Sequence, residues 1–208
     1  MKTHQDLVKA IEERLKRSFQ FEATGHDYYH VLRVRNLAML IQQNEGGCAQ
    51  KVELAALLHD VFDHKFLNLQ HSNPYFIFED WIHPFGFELA YKKEIFDIIQ
   101  SVSFSKNKFD ENVSLESKII RDADRLDAIG AIGIARTFAY GAAIKQPIYL
   151  DDDKKKVEHP TSIGHFYDKL LKLKEGMHTS TARKIAEERH AFLETFLVQF
   201  YKEWKGEY

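Results

Sequence analysis

Cysteine is nearly missing from this sequence. Cys48 stands alone among 208 residues, which excludes an intramolecular disulfide and a cysteine-built metal cage, and a lone thiol fits a reducing compartment, so the cytoplasm is the expected location. Proline occurs 4 times and glycine 10 times, a scarcity that points to a helical chain. Neither sign of charge prevails: 29 basic and 31 acidic residues leave a net charge of -2, which argues against holding a nucleic-acid backbone by counterion release. Long apolar runs are also lacking. No stretch approaches the roughly 20 residues of a membrane-spanning helix, and the N-terminus is charged from Lys2 onward, so neither a span nor a signal peptide is expected. Hydrophobic residues at 44% and charged residues at 29% give a globular balance, and this length suits one domain covering 1–208. The 11 histidines then need placing.

Apolar residues recur at steps of three and four through most of the chain, strict alternation is scarce, and no Asn-Gly or Asp-Gly hairpin signal occurs. The expected fold is all-α. Helices are predicted over about 5–19, 27–45, 50–63, 114–129 and 130–143, and from Thr161 or Ser162 to about 174. Another carries Ile95, Ile98, Ile99 and Val102, and an aromatic segment spans Pro74 to Phe87. A long terminal helix places Phe192, Phe196 and Phe200 at helical spacing, read as core. Gly130, Gly133 and Gly141 suggest close packing, and Lys145 to Pro160 reads as an exposed excursion with nothing to bury.

Helix phase turns particular polar residues inward. Val34, Ala38 and Ile41 define one face of the second helix, and four residues before Val34 that face carries His30. On the third helix Val52, Ala55 and Ala56 face inward, which brings His59 to the same side with Asp60 next to it. Asp124 falls one turn after Ile120 on an otherwise apolar helix. A lone inward histidine is more often a hydrogen-bonded core residue than a ligand. Two imidazoles and two carboxylates are different, because burying them unpartnered costs several kcal/mol each, and a shared divalent cation removes that cost.

These residues, in the frames LAALLHDVFDHKF and RDADRLDAIGAIGIA, together with HDYYHVLRV, HFYDKLLKLK and AEERHAFL, resemble the HD-domain metal-dependent phosphohydrolases, nearest to the bacterial stand-alone hydrolases of nucleotides. The resemblance covers most of the chain. It implies a single-domain HD-type helical bundle, with a metal-site core over about 20–145 and C-terminal helices over about 161–205. It also implies that His30, His59, Asp60 and Asp124 hold one divalent ion. Two imidazoles and two carboxylates suit Mn²⁺ first, with Mg²⁺, Co²⁺, Fe²⁺ or Zn²⁺ as alternatives, and suit Ca²⁺ less.

Around that centre, Asp63 is the expected proton acceptor, with His64 as its accomplice. Lys65, Arg125, Arg33 and Arg136 are the expected phosphate-binding cations. Asp127, one turn after Asp124, would orient a ligand histidine or bond the backbone, and His26 would have a supporting role. The expected substrate is a small nucleotide, with no nucleic acid or membrane as partner, and a homodimer is admissible. Release of pyrophosphate from a nucleoside triphosphate is the favoured reaction. The alternatives are release of phosphate from a nucleoside 5′-monophosphate and a non-catalytic metal or nucleotide sensor.

Overall fold

A computed structural model describes residues 3–19, 27–61, 73–102, 113–151 and 160–207. Among the described residues the regular structure is helical throughout, with no strand. In chain order the helices are α1 (His4–Ser18), α2 (Tyr28–Glu45), α3 (Ala49–Leu58), α4 (Pro74–Ile82), α5 (Leu89–Val102), α6 (Leu115–Asp127), α7 (Gly130–Ala143), α8 (Ser162–Asp168) and α9 (Ser180–Lys205). Short 3₁₀ turns follow α4 at His83–Phe85 and α8 at Leu170–Gly176. No described helix is long and apolar enough to cross a membrane.

α2 is the centre of the bundle, packed against both α3 and α6. Its buried face runs His30, Val34, Ala38 and Ile41, the three- and four-residue rhythm of a helix with one face in the core. α3 is short and buried on nearly all sides through Val52, Leu54, Ala55, Ala56, Leu57 and Leu58. α6 follows an N-cap at Ser114, whose side chain accepts the Ser117 N–H. α9 lies over α6 and α7, and its start is fixed by a carboxylate from α6. Asp122, fully buried, accepts the His178 and Thr179 N–H groups at 2.9 and 2.7 Å and the Thr179 hydroxyl at 2.8 Å. Those amides have no partner within α9 itself, so a buried acceptor there satisfies donors that would otherwise be orphaned.

The turn between α6 and α7 brings the two helices close. Gly130 has φ +77°, a conformation open to glycine and costly for other residues. A Cβ on Gly133 would lie 2.3 Å from the Ala128 carbonyl oxygen, so only glycine allows this approach.

Four sequence expectations change. α3 ends at Leu58 rather than near Asp63. The helix expected from Ser162 to about 174 breaks at Lys169, where φ -135° and ψ -57° leave the helical region. Residues 152–159 of the expected excursion lie outside the described residues, and the described part does bury something, since Tyr149 packs edge-on against Phe200, Tyr201 and Trp204. Phe192 is 52% exposed rather than core, because α9 carries aromatics on more than one side and the bundle covers only one.

Candidate metal centre

His30 sits in the first turn of α2, where the N-cap Asp27 accepts its backbone N–H at 2.7 Å. The same turn sets the ring against α6, and His30 Nδ1 lies 2.7 Å from Asp127 Oδ2. His59 closes α3, with Nδ1 2.7 Å from the Ala56 carbonyl. A carbonyl only accepts, so Nδ1 carries the proton and a neutral ring presents its lone pair at Nε2. That His59 Nε2 is buried and makes no hydrogen bond to the described residues.

The two Nε2 atoms and the Asp60 carboxylate meet. His30 Nε2 is 3.2 Å from Asp60 Oδ2, and His59 Nε2 is 3.4 Å from Asp60 Oδ1. The ring centroids of the two histidines are 5.4 Å apart. One ligand atom from each of His30, His59 and Asp60 lies within 4.8 Å of the other two. Asp124 stands at the edge of this group, its Oδ1 3.6 Å from His30 Nε2 and its side chain 38% exposed. Two imidazole nitrogens, one without a hydrogen bond, beside carboxylate oxygens form a donor set that fits a divalent transition-metal ion.

Behind the cluster Asp127 is a buried charge hub. Besides His30 it accepts from Arg33 Nε at 2.7 Å and Nη2 at 3.1 Å, and from Arg136 Nη1 at 2.8 Å. Burial opposes its charge, but His30, Arg33 and Arg136 hold its carboxyl well below the usual carboxylate range. Burial also disfavours a charge on His30, yet hydrogen bonds to Asp127 and Asp60, with the charges of Asp60 and Asp124, raise its pKa to about 9. A cation coordinated at His30 Nε2 would have to displace a proton there.

Each of the three arginines expected to bind phosphate that lie in the described residues has a partner there. Arg33 and Arg136 have guanidinium groups engaged by Asp127. Arg125 turns away from the cluster: its Nη1 donates to the Gly176 carbonyl and lies 3.3 Å from His178 Nε2. Helix rotation is the reason, since adjacent residues point about 100° apart and Asp124 occupies the cluster side. The same rotation assigns three acids of one helix to three tasks. Asp122 caps α9, while Asp124 and Asp127, three residues apart, share the side facing His30. His26, Asp63, His64 and Lys65 lie outside the described residues.

Next to the cluster a cavity of about 310 Å³ opens between α7 and α8, lined among others by Asp124, Arg136, Tyr140, Ser162, His165 and Lys169. Sequence reasoning gave His165 and Lys169 no role, although both stand in the HFYDKLLKLK segment. Tyr140 is half exposed at the cavity, whereas Phe138 packs on Phe166 and Phe196.

Comparison with known proteins gives consistent relatives. Residues 27–129 match the HD domain family. The uncharacterised protein YpgQ of Bacillus subtilis is 38% identical over 187 residues, which cover 89% of this chain and 87% of that protein. An HD-superfamily hydrolase from Bacillus thuringiensis has a crystal structure 39% identical in sequence, with TM-score 0.78, over 99% of this chain and 100% of that one. The crystal structure of B. subtilis YpgQ in complex with ADP matches at 33% identity and TM-score 0.80, over 97% of both chains.

Proposed function

The chain belongs to the HD domain family, and from that premise we propose that it is a divalent-metal-dependent phosphohydrolase of small nucleotides, whose preferred reaction releases pyrophosphate from a nucleoside triphosphate. The observation that carries this reading is a single juxtaposition. Ligand atoms of His30, His59 and Asp60 lie within 4.8 Å of one another, and Asp124 joins their edge to a cavity that also holds Arg136 and Lys169. The crystal structure of YpgQ with ADP, at 33% identity, supports a nucleotide as the ligand.

In this reading His30, His59 and Asp60 hold the ion, with Asp124 as a fourth donor, and Mn²⁺ is the first choice for such a set. A divalent ion held there would supply Lewis-acid polarisation of a phosphoryl oxygen and would lower the pKa of a water. The protein does the rest by positioning. Asp127 holds His30 Nδ1–H and so keeps Nε2 aimed at the cluster, the usual way an outer carboxylate sets the tautomer and orientation of a ligand histidine. Arg136 bonds Asp127 and also lines the cavity, placing a cation where a bound phosphate would lie.

The test is a panel of nucleoside mono-, di- and triphosphates offered with Mn²⁺, Mg²⁺ and Co²⁺, with pyrophosphate and orthophosphate measured separately. Pyrophosphate from triphosphates is expected. Faster turnover of 5′-monophosphates, with orthophosphate alone, would replace this reading with a nucleotidase. Nucleotide binding without turnover for any metal would replace it with a sensor.

A further inference from the structure

The match to the HD family ends at residue 129, yet the end of α6 that carries Asp124 and Asp127 is held from outside that span. Arg189 of α9, in the AEERHAFL segment, donates from Nη1 to the Leu126 carbonyl. Leu126 lies between the two acids that face His30. On the other side of Asp124, Asp122 accepts the His178 and Thr179 N–H groups at the start of α9. The first half of α9 therefore grips α6 on both sides of Asp124.

The last turn of α6 needs such a hold. The final carbonyls of a helix lack the N–H donors of a further turn. The chain changes direction at Gly130, with φ +77°, and the Arg125 and Leu126 carbonyls accept instead from Ala128 and Ile129, three residues on, at 3.2 and 3.3 Å. Such i, i+3 bonds have poorer geometry than those of an α-helix. A guanidinium there adds a charged donor and complements the negative end of the helix dipole. Its approach is built into the turn, since a Cβ on Gly130 would lie 3.0 Å from Arg189 Cγ and the arginine stem lies where glycine leaves room. Burial opposes the Arg189 charge, and the charge of Asp127 supports it.

The two acids depend on this turn unequally. Asp127 is bonded by His30, Arg33 and Arg136. Asp124 is 38% exposed at the edge of the cluster, 3.6 Å from His30 Nε2, so its place is set mainly by the backbone beneath it. Resting on the metal-centre reading above, we propose that Arg189 is a positioning residue of that centre: by capping α6 it holds Asp124 where the carboxylate serves as the fourth donor. The C-terminal helix thus completes a centre whose proposed ligands all lie within 27–129.

The experiment is a double-mutant cycle on the full chain, read as Mn²⁺ affinity by calorimetric titration well below the melting temperature of each variant, so that folded protein alone reports. Arg189→Met keeps the stem, removes the guanidinium and is expected to weaken Mn²⁺ about tenfold, the low end of what a group behind a metal ligand contributes. Asp124→Ala weakens Mn²⁺ in the parent chain, but by less than about twofold once Arg189 is replaced, because residues that act through one another are not additive. Arg189→Lys returns a cation to the α6 terminus and recovers most of the affinity. Arg189→Gln takes the place of Arg189→Met in the cycle if the latter does not fold. A lower melting temperature with unchanged Mn²⁺ affinity, or losses that multiply in the double variant, overturns the positioning role. The underlying reading fails differently: a parent chain that binds no divalent ion overturns the metal centre and the positioning role together. Arg189-dependent Mn²⁺ binding by a chain that hydrolyses no nucleotide upholds the positioning role and overturns the phosphohydrolase.

Discussion

Asp127→Ala removes the acceptor of four hydrogen bonds: from His30 Nδ1 at 2.7 Å, Arg33 Nε at 2.7 Å, Arg33 Nη2 at 3.1 Å and Arg136 Nη1 at 2.8 Å. Taking one partner from a buried ionic network costs about 3–5 kcal/mol, because the remaining charges stay behind without compensation. The side chains of Arg33 and Arg136 are 31% and 17% exposed and can take up water, whereas His30 is fully buried. The expected loss therefore sits near the lower bound, about 3 kcal/mol. In a chain of this size each kcal/mol moves the melting temperature by roughly 2–4 °C, so a fall of roughly 6–12 °C is expected. Loss of the carboxylate behind a ligand histidine also lowers metal affinity, by about 10- to 100-fold. Asp127→Asn falls between, since its amide accepts at one oxygen and sets an NH₂ against a donor. Scanning calorimetry and Mn²⁺ titration of the three proteins measure both effects. An Asp127→Ala protein that melts within about 2 °C of the parent and binds Mn²⁺ equally well would refute the idea that Asp127 orients His30.

Gly133→Ala sets a methyl 2.3 Å from the Ala128 carbonyl oxygen, and a backbone atom cannot rotate away, so a loss of about 1–3 kcal/mol is expected in urea denaturation; a neutral result would show that the α6–α7 turn yields. Burial works against a charge on Glu53, but hydrogen bonds to Arg35 and His4 outweigh it and lower its pKa from 4.5. Its contribution is therefore fully present above the ordinary carboxylate value and is lost as pH falls through the depressed one. Wild type should exceed Glu53→Gln in stability at pH 7, and the gap should close in acid; a gap independent of pH would show that the charge on Glu53 contributes nothing.

Local pattern alone determined a good deal of this protein. Steps of three and four residues mark the helices, and helix phase turns His30 into the core from the positions of Val34, Ala38 and Ile41, because a rotation of about 100° per residue is a property of the chain segment itself. The same phase brought Asp124 and Asp127 to one side of α6. What it could not supply was the identity of a neighbour from another helix. Arg33 stands in sequence as an available cation one turn from His30, yet 94 residues separate it from Asp127, which it binds. Lys169 and His165 carry no signal of their own, and only the docking of α8 beside α7 puts them with Asp124 and Arg136 around one cavity. Phe192 shows the same limit in reverse, since an apolar residue on a helix with more than one apolar side is buried or left at 52% exposure according to which side the rest of the bundle covers. Periodicity is written in neighbouring residues, whereas pairing across helices depends on how faces meet, and that is decided by the packing of the whole core.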